Sequence, residues 1–283
     1  MTEGPADAGP SPFRPAAGTL RRVQVTEQFA DLLDGPEDAV PLDRAALLIA
    51  AHAYPGLDVE AELATIDCIA EGCFAPTLDA LVRYLFVDLA FRGNRTAYHD
   101  PRNSYLNEVI RRRRGIPITL SVLAMAVGRR LAVPLAGVGM PGHFLLRDRV
   151  DPSVFVDPFA AGAFLDRAGC ERVFRAVHGQ DAVFDEAYLA PVGPFAILAR
   201  MLANLRVVFA TAVDHTGLAW VLRLRSLVPG VPIEERAELA AVLAASGDFR
   251  GAARELDIVA ERVGGGTGEE YARRAARLRA RLN

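Results

Sequence analysis

GIPITLSVLAMAVGRRLAVP (Gly115–Pro134), followed by GHFLLR from Gly142 and VFVDPF from Val154, decides how this chain folds. Pro117 suits the first position of a helix, where the missing N–H would have had no partner. Thr119 to Leu131 carry the helix and Ala132-Val133-Pro134 end it. From Leu135 the apolar period drops to two: LAGVGM, HFLLRDR and SVFVD read as short strands, with a turn around Val150-Asp151-Pro152. With that turn centred on Val150, His143 and Asp157 are cross-strand neighbours on one face, where a carboxylate can hold an imidazole. A slip of one residue would send one of them to the opposite face.

Upstream, Leu42–His52 and Val59–Glu71 repeat apolar residues at three- and four-residue steps around the breaker Tyr54-Pro55-Gly56, the pattern of an antiparallel helix pair. Leu78–Phe91 reads as a third helix, stopped by Gly93-Asn94. Cys68 is expected as a small core residue of the second helix. A fourth helix is expected to begin near Asn103-Ser104, either of which can cap it, and to end in Arg111–Arg114 with Gly115 just past the cap. Those arginines suit the negative end of the helix first and an anion second. Asn103 and Asn107 stand one helical turn apart, and Asn107 inside a helix calls for a specific hydrogen bond.

Composition excludes several classes. With 283 residues, 51% hydrophobic and 24% charged, the chain can bury one large core or two modest ones. A net charge of -3 gives no reason to expect nucleic acid or an anionic membrane as partner. Every basic side chain is arginine, a compositional bias rather than a chosen chemistry. Three cysteines, Cys68, Cys73 and Cys170, are too few for a disulfide framework and read as reduced thiols of a cytoplasmic protein. No apolar run is expected to reach the length of a membrane span, and residues 1–19, rich in Pro, Gly and Ala, read as a disordered leader.

The run from Asp100 (DPRNSYLNEVIRRRRGIPITLSVLAMAVGRRLAVPLAGVGMPGHFLLR) through VDPF resembles the SirB-one family, a bacterial branch of the transglutaminase-like superfamily. The likeness reaches upstream to AALLIAAHAYPGLDVEAELATIDCIAE and downstream to RMLANL at Arg200, covering roughly residues 40–280. It implies an α+β, mostly helical fold: a papain-like core of helices on a small antiparallel sheet, over residues 20–192. It also implies a thiol triad in which His143 is the base and Asp157 the acid that orients it. Superfamily enzymes place a cysteine at a helix N-terminus, where the dipole favours thiolate. Matching Val133-Pro134 to the superfamily's pattern at the helix end sets that nucleophile on Pro117, which has no nucleophilic atom.

Thr119 and Ser121 lie in the first turn and a half of the same helix, but a hydroxyl there is expected to bond within the helix or core rather than reach a base. Cys170 lies farther away, at a helix start after the hairpin. Asn103, Ser104, Asn107, Thr119 and Ser121 are therefore the candidates for lining a cleft beside His143 and Asp157. Two ligands without a third at a motif spacing fall short of a metal site, and no cofactor motif is present.

Residues 193–283 read as consecutive helices: Phe195–Phe209, Leu218–Leu227, Glu234–Ala245, Phe249–Val263 and Glu270–Leu282. Ala240, Leu243, Gly247, Phe249, Ala252, Leu256 and Val259 fit the small–large packing of a tetratricopeptide repeat, with a degenerate copy over Ala199–Pro232. Such hairpins serve either as a surface for a protein or peptide partner or as a supplement to the first core. Two functions follow as expectations. The first is a non-catalytic transglutaminase-like binding or regulatory module. The second is an amide or peptide hydrolase, or an acyltransferase, using His143 and Asp157 with a non-standard nucleophile.

Overall fold

The computed structural model describes residues 17–282, with side chains from Arg21 onward. Of the expected leader, residues 1–16 lie outside the described residues, and Ala17–Thr19 already belong to a helix, α1 (Ala17–Leu33). The fold is α+β and mostly helical, as expected.

The helix pair forms as α2 (Leu42–Ala53) and α3 (Val59–Glu71). α3 starts where the Asp58 carboxylate accepts from the Glu60 and Ala61 amides. Cys68 departs from expectation: its position on α3 faces solvent, and the buried positions there are Ile66 and Ala70. The third helix, α4 (Leu78–Arg83), loosens into a π-turn over Tyr84–Asp88. It stops at Ala90, which takes a left-handed φ of 56°, before Gly93 is reached. Arg92–Gly93 form instead a two-residue strand, β1.

The next segment also corrects the sequence reading. Pro101–Asn103 make a single 3-10 turn and α5 covers only Leu106–Arg112, so neither Asn103 nor Ser104 caps it. The left-handed residue that closes α5 is Arg113 (φ 54°), which frees Arg114–Gly115 to pair in parallel with β1 as strand β2.

α6 (Pro117–Arg130) follows, with Pro117 at its first position. It is buried from Pro117 through Ala124 and again over Ala126–Gly128, so it is apolar all round, as a central core helix must be. α2, α3, α4 and α5 pack around it on one side. On the other lies a five-stranded antiparallel sheet of order β6-β5-β4-β3-β7, made of Leu135–Val138 (β3), Leu145–Asp148 (β4), Phe155–Asp157 (β5), Ala163–Leu165 (β6) and Pro191–Val192 (β7). Alternation sends Phe144, Leu146 and Val156 into the main core with α6. Leu145 and Phe155 face the other way, to a smaller cluster with Cys170 and Phe174 of α7 (Arg167–His178).

α8 (Pro194–Thr211), α9 (His215–Arg225), α10 (Glu235–Ala245), α11 (Phe249–Val263) and α12 (Gly265–Ala280) complete the chain. α8 is long and apolar enough, with a mean hydropathy of 1.3, to pass as a membrane span, contrary to the sequence expectation. Its Ile197, Leu198, Met201, Leu202 and Leu205 are buried in the main core, and Arg200 and Arg206 interrupt the run. The expected division at 192/193 falls at the start of α8, and one face of α9 joins the same core through Val221 and Leu224. The other face supplies Leu218 and Leu222 to a separate cluster with Leu239, Ala240, Leu243, Ala252 and Leu256. Trp220 stacks on the buried His52 at 5.3 Å, tying α9 to α2.

Candidate functional site

Pro117 is buried at the head of α6, with Ile116 as an extended N-cap. The cap has no acceptor side chain. Thr119 serves instead: its Oγ1 accepts from the Ile116 N–H at 3.2 Å and donates to the Asn103 carbonyl at 2.6 Å. Ser121 Oγ donates to the Pro117 carbonyl at 2.9 Å. Both hydroxyls are fully buried, and each spends its single proton on backbone, so neither is oriented to surrender it to an imidazole.

Asn103 likewise belongs to the framework. Its Nδ2 donates to the carbonyls of Ala97 and Tyr98 at 2.7 and 3.1 Å, and its Oδ1 accepts from Asn94 Nδ2 and Arg112 Nη2, each at 3.0 Å. Ser104 is buried beside it. Asn107 contradicts expectation: it is buried on α5, but its Oδ1 finds no hydrogen-bond partner, and it does not share a helix with Asn103. The five cleft candidates therefore lie in the packed wall behind the head of α6.

His143 enters through the turn Met140-Pro141-Gly142. Gly142 has φ +70°, and a Cβ there would meet Val177 and the His178 ring at 2.6 and 2.9 Å, so only glycine lets α7 lie this close. The His143 N–H donates to the Met140 carbonyl at 3.0 Å, and its own carbonyl accepts from Arg200 Nη2 at 2.7 Å. Arg200 also donates to the Met140 carbonyl at 3.0 Å, pinning both ends of the turn from α8. Burial lowers the Arg200 pKa, against a raising effect from Tyr98.

The hairpin register differs from the reading centred on Val150. Leu146 pairs with Val156, so the hairpin centres on Asp151 and Leu145 is the residue opposite Asp157. His143 lies two residues before Leu145, just outside β4, and keeps the same parity. The change of register therefore leaves both side chains on one face, diagonally placed. Nε2 of His143 stands 3.0 Å from Asp157 Oδ1, both groups nearly buried, but off the line of a hydrogen bond, and makes no aligned bond to any group. Asp157 Oδ1 is meanwhile engaged by the Phe159 and Ala160 amides at 2.9 and 3.2 Å, capping the 3-10 turn Pro158–Ala160. The Phe159 ring stands edge-on to His143 at 6.0 Å and lies so close over Gly93 that a Cβ there would be 2.4 Å from it.

Cys170, on α7, is fully buried, and that burial, reinforced by the charges of Asp166 and Asp157, pushes its pKa up to about 12. Among the described residues no cluster of three or more His, Cys, Asp or Glu is placed to hold a metal. Arg200 and Phe159 are the residues that sequence reasoning left unassigned. The signal for Arg200 was a lone arginine inside FAILARMLANL; Phe159, one more apolar residue after a strand, gave none.

The comparisons with known proteins agree with this architecture. The family model described as the transglutaminase-like superfamily matches residues 53–203, more than half of the chain. A UPF0162 protein of Xylella fastidiosa (strain Temecula1) is 39% identical over 210 residues, which is 69% of this chain and 75% of that protein. A UPF0162 protein of Pseudomonas aeruginosa is 38% identical over 113 residues, 40% of this chain and 41% of that protein. F-box only protein 21 of Mus musculus is 37% identical over 138 residues, 45% of this chain and 21% of that longer protein. No solved structure matches. A helix headed at Pro117, packed on an antiparallel sheet that brings His143 to Asp157, together with these matches, means that the chain belongs to the transglutaminase-like superfamily and to the UPF0162 family.

Proposed function

We propose that this protein is a non-catalytic transglutaminase-like module that works in the cytoplasm as a binding or regulatory protein. What supports the reading is the head of α6, where Pro117 stands at the position that the resemblance gives to the superfamily's cysteine and the two nearby hydroxyls, Thr119 and Ser121, are bonded to backbone. Asp157 has a sufficient structural task as the cap of the turn that follows β5, and His143 as its buried neighbour. Removing Asp157 takes the acceptor from the Phe159 and Ala160 amides, at about 1–3 kcal/mol, which is reason enough to retain that residue without catalysis.

The helices α10–α12, which share a small core with one face of α9, are the proposed surface for a protein or peptide partner, in the manner of a tetratricopeptide hairpin. The match to a short stretch of F-box only protein 21 supports a module that also occurs inside larger proteins. One feature favours the alternative, an amide hydrolase or acyltransferase with a non-standard nucleophile: the His143 Nε2 lacks an aligned bond while sitting beside a carboxylate.

The test is turnover. Across a library of glutamine- and amide-containing peptides the protein is expected to show neither hydrolysis nor transamidation, and His143→Ala is expected chiefly to lower thermal stability. Turnover that disappears in His143→Ala while the fold stays intact would sink the non-catalytic reading.

A further inference from the structure

The arginine run at Arg111–Arg114 is only partly used by the fold. Arg111 pairs with Glu108 at 2.7 Å, and Arg112 donates to Asn103 at 3.0 Å, so α5 and the turn before it absorb both. Arg114 has no such partner. It stands in β2 directly opposite Arg92 in β1. Together with Arg95, Asn94, Thr96 and Phe159 they line a cleft of about 550 Å³, a volume within the usual range for small-molecule sites. No carboxylate lines it. Among the described residues the three guanidiniums take part in no ion pair, and Arg95 rests instead on the Phe159 ring at 5.1 Å.

Like charges in register across a strand pair repel. The ladder that holds Arg92 against Arg114 is only two residues long, and bonds from the Arg92 N–H to the Arg113 carbonyl at 3.2 Å and from the Asn94 N–H to the Gly115 carbonyl at 2.9 Å keep the two arginines in register. A doubly charged anion between the two guanidiniums would turn that repulsion into charge-assisted, forked hydrogen bonds. The Thr96 hydroxyl at the same rim donates to Asn94 Oδ1 at 3.2 Å, so the arginines are what the cleft offers an anion.

We propose that this cleft binds a small molecule carrying a phosphate group, with Arg92 and Arg114 clamping the phosphate and Arg95 closing over it from Phe159. The cleft is lined by Phe159, whose ring is 6.0 Å from that of His143, and the proposal stands whether or not His143 takes part in any reaction.

Calorimetric titration of the full chain with pyrophosphate at constant ionic strength tests it, with sulfate and a short single-stranded oligonucleotide as separate arms. Saturable one-to-one binding of pyrophosphate is expected. Arg92→Gln and Arg114→Gln should each weaken it by about tenfold or more. Arg254→Gln, an exposed change on α11, should not. Because the substitutions also relieve repulsion, the ligand-free Arg92→Gln and Arg114→Gln proteins should melt at or above the parent temperature, an effect that mere structural damage cannot give. Absence of saturable binding, equal binding by both variants, or equal displacement by any salt of the same ionic strength would overturn the proposal. Tighter binding of the oligonucleotide than of pyrophosphate would overturn the small-molecule assignment.

Discussion

Replacing Asp157 by alanine and by asparagine separates the structural task of this residue from a charge-based one. Its Oδ1 caps the Pro158–Ala160 turn by accepting from two amides, and the same atom stands 3.0 Å from His143 Nε2. Alanine removes the acceptor, a change worth about 0.5–2 kcal/mol for a cap. It also strands two part-buried amide donors, worth about 1–3 kcal/mol more. The sum of roughly 1.5–5 kcal/mol is lowered little by solvent, since Asp157 is 4% exposed. Asparagine keeps an oxygen of the same shape for both amides and loses only the charge, so it should cost about 0.5–1.5 kcal/mol. Equilibrium urea unfolding with an unchanged slope measures both. In a chain of this size the alanine variant should melt about 3–20 °C lower, at about 2–4 °C per kcal/mol. An alanine variant within about 0.5 kcal/mol of the parent would refute the capping role. An asparagine variant as damaged as alanine would show instead that the charge beside His143 is what matters.

Three further outcomes follow from particular contacts. Asp43 on α2 is 2% exposed and accepts from Arg129 and Arg130 at the end of α6. Burial alone would raise its pKa, but the Arg130 hydrogen bond and both guanidinium charges prevail and hold it below the ordinary carboxylate value, so its contribution is present above about pH 4 and fades as pH falls through the lowered pKa. Asp43→Ala should therefore lose about 2–4 kcal/mol by urea unfolding at neutral pH, and a loss below about 0.5 kcal/mol would deny that this pair anchors α6. His52, stacked on Trp220 and bonded to the Leu48 carbonyl, is kept neutral chiefly by burial, which lowers its pKa. The unfolded chain takes up that proton near pH 6.5, so the melting temperature should fall as pH drops from about 7 toward 5, and a His52→Asn protein should lack that slope. A parent slope retained in the variant would assign it elsewhere. Pro117→Cys should create a thiol titrating below the ordinary value of about 8.5, read from thiolate ultraviolet absorbance, and alkylating faster than Cys68 or Cys170. A thiol titrating at or above that value would count against the alignment of Pro117 with the superfamily nucleophile.

The long helices were legible because their apolar positions repeat at helical spacing and their ends carry clear stops: α2, α3, α6 and α11 begin and end within a residue or so of the sequence reading. Pro117 at the first position of α6 was legible for a steric reason that holds in any context. What stayed hidden depends on long-range packing. Arg113, rather than Gly115, takes the left-handed turn, because Gly115 is needed in β2, where a Cβ would press on Thr119 and Leu120 at 3.0 and 3.1 Å. Asn103 looked like a cap and is instead a four-bonded rivet between the loop after β1 and Arg112. The pairing of His143 with Asp157 was legible in parity, and its register was not, since the turn that sets it centres one residue beyond Val150.

Covalent trapping bears most directly on whether this scaffold retains a nucleophile. After incubation with an activated glutamine-peptide ester, intact-mass measurement and peptide mapping should find no acyl adduct on Thr119, Ser121 or Cys170. A stoichiometric adduct on any of these, absent in His143→Ala of intact fold, would contradict the non-catalytic reading and identify the group that replaces the cysteine at Pro117.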